Sequence, residues 1–317
     1  MNDHALKVLE YEKVRDIAAG YAASEPGRAA VLELLPAADR AEVGERLAET
    51  RECMRLLGFG EHPPLDGIRD IGRSIGKLAV SGMMLQPLEL LEVSSTIGAA
   101  RRLKSFFQRF ESGGGSQLMV PLLCGRAAKI TPLRHLEDAV HAAVDETGEI
   151  RDSASPELRR VRKLIGRIRD GIMERLSRIL RDADTQSIIQ EQLITVRDDR
   201  YVMPLKPNFR QSIKGVVHGH SGSRATLFVE PLEVVEQNNR LSELRMEERE
   251  EIERVLRDLT GRLAAEGQVI EAAATAAAGI DGVCARALFG IEYGGTVPEL
   301  SSKSRLVSGS GSWTLVD

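Results

Sequence analysis

The chain has 317 residues, enough for one large domain or two to three small ones around a sizeable core. Charged residues make up 28% and aromatics only 4%, which argues against an all-β fold, and a formal net charge of -4 means that any basic surface is local. Cys53, Cys124 and Cys284 stand far apart without a CxxC, the usage expected of buried thiols in a reducing compartment.

The opening "MNDHALKVLE" lacks the basic-then-apolar pattern of a secretion signal. No apolar run approaches the ~20 residues of a membrane span, so a cytoplasmic protein with no membrane partner is expected. "LKVLEYEKVRDIAAGYAAS" places Leu6, Leu9, Val14, Ile17, Ala18 and Tyr21 at helical spacing. Ser24 caps a second helix with Pro26 and Gly27 in its first turn, ending near Pro36. A third runs from about Ala41 to Leu57, stopped by Gly58 and Gly60. "EHPPLDGIRDIGRSIGKLAVSGMML" is irregular or short helix, and "QPLELLEVSSTIGAARRLKSFFQRF" a strong helix. "ESGGGSQ" reads as a flexible loop, and Thr131–Pro132 open a further helix to about Val144.

From Leu158 the apolar residues fall at Val161, Ile165, Ile168, Ile172, Leu176 and Ile179, a coiled-coil-like seam. Ser155 and Pro156 start this helix, which reaches about residue 184 and is roughly 43 Å long. A second long helix begins near Leu232 and extends to about Ala278, with Leu241, Leu244, Ile252, Val255, Leu259 and Leu263 in its seam and Glu248 interrupting it. The first carries nine Arg/Lys between 157 and 182, and the second nine acids between 233 and 262. Opposite charges beside apolar seams predict an antiparallel pair.

Between them lies "LITVRDDRYVMPLK", a strand, a turn at Asp198–Asp199 and a strand, with Tyr201, Met203 and Leu205 on one face. "IKGVVHGHSGSRATLFVE" adds two strands around the glycine-rich turn 218–224. The predicted fold is therefore mainly α: a helical core (1–155), an outgoing lever helix (156–190), a small antiparallel β insert (191–231) at the tip of the arm, a returning helix (232–278) and a return to the core (279–317). The insert is mildly basic and its turns are expected to project furthest from the body. Arg197, Lys206, Arg210, Lys214 and Arg224 are the candidate phosphate contacts, and His218 and His220 could add charge at acidic pH.

Other motifs carry less. "GIRDIGRS" (67–74) approximates a phosphate-binding loop, but Arg73 stands where lysine is required and no strand precedes it. His218 and His220 form an HxH without an evident third metal ligand. No catalytic constellation, cofactor site or metal site is evident, and neither ATPase nor nuclease activity is expected of these residues.

Three stretches resemble the MutS family: "IRDSASPELRRVRKLIGRIRDGI", "ITVRDDRYVMPLKPNFRQSIKGVVHGHSGSRATLFVEPLEVVEQNNRLSEL" and "EEREEIERVLRDLT". The branch that fits is the second bacterial subfamily, MutS-II, linked to suppression of recombination. "LEYEKVRDIAAGYAAS", "LLPAADRAEV" and "PPLDGIRDI" resemble the start of the same proteins, so the likeness covers residues 6–317. It implies a helical core, lever helices and a β clamp touching the DNA backbone. A dimeric ATPase using ATP and magnesium, then a nuclease-like Smr domain, would follow in a homodimeric parent. "GSWTLVD" falls about where the ATPase is expected to begin. The resemblance implies binding of branched or recombination-intermediate DNA. Two alternatives stand beside it: an rRNA- or ribosome-binding arm that rescues stalled ribosomes, and a structural lever with little affinity of its own. Arg and Lys contacts to either polymer's backbone use the same chemistry.

Overall fold

The computed structural model describes residues 3–111, 118–182, 186–209, 212–222 and 224–300. The fold is mainly α with one small antiparallel sheet, as the sequence predicts. Its helices are α1 (Asp3–Val8), α2 (Tyr11–Ala19), α3 (Glu25–Leu32), α4 (Arg40–Gly58), α5 (Gly72–Leu78), α6 (Pro87–Glu111), α7 (Pro121–Ala128), α8 (Arg134–Ala143), α9 (Pro156–Arg181), α10 (Leu232–Ala265) and α11 (Gly267–Glu292). The strands are β1 (Thr195–Arg197), β2 (Arg200–Leu205), β3 (Gly215–His220) and β4 (Leu227–Pro231). The predicted loop at 112–117 lies outside the described residues.

The chain forms two compact units. The first comprises Met1–Ser81, Glu92–Glu137 and Leu263–Asp317. Its core joins Cys53 and Leu56 of α4, Leu103 and Phe107 of α6, Leu123 and Cys124 of α7, and Ala273, Ala277, Ile280 and Cys284 of α11. The inward side of α11 is rich in alanine, which lets neighbouring helices approach closely. By length and composition α11 could cross a membrane, against the sequence reading that no such stretch exists. Here its inward side is part of this unit's core.

Small side chains fill space but fix register poorly, and buried carboxylates supply the missing specificity. Asp281 of α11 is fully buried and accepts hydrogen bonds from Ala23 N (3.0 Å), Ser24 N (2.9 Å) and Ser24 Oγ (2.5 Å). Ser24 Oγ in turn caps α3 through Gly27 N. Val120 precedes α7 without a side-chain cap, and Glu52 of α4 takes that role by accepting from Leu122 N and Leu123 N. Glu49 is buried and pairs with Arg126. The three cysteines are buried free thiols, with Cys53 Sγ 3.5 Å from Cys284 Sγ. That contact, then burial, raises the Cys284 pKa, and burial pushes Cys124 up to about 11.

The second unit comprises Gly82–Leu91 and Asp138–Arg262. Contacts step up α9 as they step down α10: Ser155 with Glu251, Arg162 with Glu248, and Arg175 with the Glu233 carbonyl. This ladder defines an antiparallel pair. Glu248, which interrupts the apolar seam, makes an ion pair with Arg162 at 2.6 Å. Ser155 caps α9 through Leu158 N, where the sequence places the helix start.

The sheet order is β1-β2-β4-β3, all antiparallel. Met203, Leu205, Leu227 and Val229 pack with Ile172 and Leu176 of α9 and Val234 and Leu241 of α10. Asp198 and Asp199 have φ of 47° and 62°, the left-handed pair of a two-residue hairpin. This turn does not project. Arg245 Nη1 donates to Asp199 O (2.9 Å) and Asp199 Oδ1 (3.0 Å), holding the turn beside α10 roughly 20 Å along the helix from its first residue.

Three element boundaries depart from the predicted ones. The first helix breaks at Glu10, which adopts a left-handed φ of 50°. The helix α7 lies in a stretch without a predicted element. The returning helix stops at Ala265 rather than near Ala278, because Glu266 leaves helical geometry (φ -109°, ψ 15°) before α11 starts.

Two outcomes follow. A β-carbon at Gly27 would overlap the Asp281 carboxylate, so Gly27→Ala should lower stability by about 2 kcal/mol, read as a reduced urea midpoint. Glu251 sits at about 2, below its ordinary 4.5, held down first by hydrogen bonds from Arg254 and then by Ser155 against the opposing effect of burial. Its stabilisation is present above its unfolded value and is lost as pH falls toward about 2. Urea midpoints of wild type should therefore drop across that window more steeply than those of Glu251→Gln.

Candidate nucleic-acid interface

The insert has two ends. The end nearest α10 is set by β4, which runs directly through Pro231 into Leu232. Glu230 there is 1% exposed, and a carboxylate withdrawn from water requires partners. It has three. Arg200 Nη1 of β2 donates to both carboxylate oxygens (2.8 and 3.2 Å), His218 Nε2 of β3 lies 2.6 Å from Oε2, and Asn238 Nδ2 of α10 donates to Oε1 at 2.8 Å. Asn238 also pairs with the backbone of Tyr201 in both directions, at 3.1 Å each. Arg200 reaches further, to Asn239 Oδ1. One buried acid thus joins three strands and a helix.

At the opposite end lies the turn after His220. Ser221 N donates to Thr226 O (2.8 Å), Arg224 N to Ser221 O (2.8 Å) and Thr226 N to Ser221 Oγ (3.1 Å). The turn is thus held by its own backbone and one hydroxyl. Arg224 adopts φ 58°, and its side chain and that of His220 are exposed.

The predicted contacts divide accordingly. Lys214, His220 and Arg224 are exposed, and among the described residues their side chains have no ion-pair partner. Lys214 precedes β3 at the α10 end, where its carbonyl accepts from Leu232 N. His220 and Arg224 lie at the far end, about 17 Å away along the strand. Lys206 Nζ donates to Ser187 O at 2.9 Å. Arg197 is exposed on the other edge of the sheet, with its guanidinium 4.3 Å from the centre of the Phe228 ring, a cation–π stack. His218 is turned to Glu230 rather than outward, so it serves the fold. Arg210 lies outside the described residues. The described residues contain no cluster of three or more metal-ligating side chains. The stretch 67–74 forms a loop and the start of α5 with no strand before it.

Sequence reasoning missed the roles of Glu230, Asn238, Arg200 and Arg245. Each was visible only as one charge or amide among many, because its partner lies elsewhere in the chain.

No family model matches the chain. It is 35% identical over 300 residues to a protein of Shouchella clausii named endonuclease MutS2, covering 95% of this chain and 38% of that one. Similar likeness links it to proteins of the same name from Bacillus cytotoxicus (36% over 303 residues; 96% and 38% covered) and Halalkalibacterium halodurans (36% over 314 residues; 99% and 40% covered). The chain belongs to the MutS2 family. It spans about two fifths of the length of the curated MutS2 relatives it matches. The match to the protein of Halalkalibacterium halodurans covers 99% of this chain, and so takes in the insert and both long helices.

Removing that acid should cost more than removing any exposed cation. Glu230→Ala leaves Arg200 and Asn238 without their shared acceptor, an expected loss of about 3 kcal/mol. Amide exchange at Met203 and Val229 should accelerate in this variant and stay unchanged in Arg224→Ala.

Proposed function

We propose that the sheet insert grips the phosphate backbone of nucleic acid, without reading bases, for a larger MutS2 protein. The observation that carries this reading is the sorting of its cations. Arg200, Lys206 and Arg197 are engaged within the protein, whereas Lys214, His220 and Arg224 remain exposed. The name endonuclease, borne by the relatives, fits a polyanionic substrate. For the whole protein we propose branched or recombination-intermediate duplex DNA as the target, with this chain supplying grip rather than chemistry.

Backbone contacts act through release of condensed counterions, so binding should be independent of sequence and steeply dependent on salt. Neutralising Lys214 and Arg224 together should reduce the slope of log affinity against log salt by about two units on duplex DNA. Fluorescence anisotropy of wild type and Lys214→Gln/Arg224→Gln at several salt concentrations measures this. Equal slopes in both proteins would remove the insert as the binding surface. Running duplex DNA, a four-way junction and ribosomes side by side identifies which polymer it grips.

A further inference from the structure

We propose that the solvent face of α9 between Arg159 and Arg167 is a second docking surface for the phosphodiester backbone of nucleic acid. The proposal rests on the reading above for the nature of the partner, and on separate residues for its location.

Four of the nine cations of α9 are matched by acids among the described residues, and Arg175 donates to the Glu233 carbonyl. Arg160 pairs with Glu157 and Glu247, Arg162 with Asp152 and Glu248, Arg169 with Asp170, and Arg178 with Glu174. Arg159, Lys163 and Arg167 differ. All three are exposed, and among the described residues their side chains make no hydrogen bond or ion pair. They stand four residues apart, so they form one stripe in which each step rises about 6 Å. The stripe lies opposite Leu158, Val161, Ile172 and Leu176, the buried side of the helix.

Folding gains nothing from this arrangement. Like charges four residues apart destabilise a helix. Around Arg159 and Lys163 the positions that could hold a compensating acid carry other residues, Ser155 and Pro156 before Arg159 and Arg160 and Gly166 around Lys163, and Asp170, three residues beyond Arg167, pairs with Arg169 instead. Gly166 is the second, independent sign. Glycine inside a helix is unfavourable, and here no packing requires it, since a β-carbon at Gly166 would meet nothing within 4 Å. Gly166 lies on the stripe itself, next to Lys163 and Arg167. The result is a stretch of bare helix backbone flanked by unmatched positive charge. A phosphate strand can lie against such a surface more closely than against a face covered by side chains.

The test uses the full chain, labelled short duplex DNA and duplex RNA, and polyglutamate as an anionic polypeptide. The R159Q/K163Q/R167Q variant should retain its helical circular dichroism and melt no lower than wild type, since repulsion is removed. It should bind duplex nucleic acid on the order of tenfold more weakly near 0.1 M salt, with a slope against log salt reduced by about 2.5 units. Gly166→Gln keeps every charge and adds a better helix former. It should raise the melting temperature and still weaken binding severalfold. Wild-type affinity and slope in both variants would overturn the proposal, as would equal capture of polyglutamate. Loss in the stripe variants with none in Lys214→Gln/Arg224→Gln supports the stripe and rejects the insert. The reverse pattern rejects the stripe and leaves the insert reading intact. Whether DNA or RNA shows the loss identifies the polymer whose backbone occupies the surface.

Discussion

The buried carboxylate of Glu230 is the constraint on which the insert depends. Each strand pair of this sheet is short: β2 and β4 share only the Met203–Leu205 and Leu227–Val229 positions. Slippage by one residue would turn Met203 and Leu205 away from α9 and α10 and carry polar positions inward. A carboxyl group buried away from water tolerates no such slip. It must find Arg200 on one neighbouring strand, His218 on the other and Asn238 on the helix at once. Register, strand order and attachment are therefore specified by a single side chain, and the hydrophobic face follows.

The first unit solves an analogous problem in the same manner. Its core is built largely from alanine, leucine and cysteine, with few aromatics to give it shape. Such surfaces can slide past one another at little cost. Asp281 at the start of α3 and Glu52 at the start of α7 prevent this, since each accepts several backbone hydrogens that only one alignment presents. The negative charge at a helix N-terminus also opposes the helix dipole favourably.

Legibility in the sequence follows the range of the interaction. Ser155–Pro156 announce α9 because a cap acts over three residues, and Asp198–Asp199 announce a hairpin because its geometry is local. The opposite charges of the two long helices disclose their pairing, and the acid that breaks the seam, Glu248, becomes intelligible once Arg162 is opposite it. The break at Glu266 was hidden by an alanine-rich sequence that remains helical on both sides of it. The folded-back hairpin turn was hidden because Arg245 is 46 residues from Asp199. For the candidate interface, composition disclosed that the insert is basic but not which cations the fold consumes. Lys206, Arg197 and His218 look like Lys214, His220 and Arg224 until their neighbours are known.

The two attachments of the insert to α10 have a mechanical consequence. Asn238 holds one point and Arg245 another, seven residues apart and thus on nearly the same side of the helix, about 10 Å from each other. A body pinned at one point swivels, whereas one pinned at two transmits a couple. A sideways pull on the turn at Arg224 therefore reaches α10 as a couple that tilts or bends its long axis, and bending of α10 steers that turn in return.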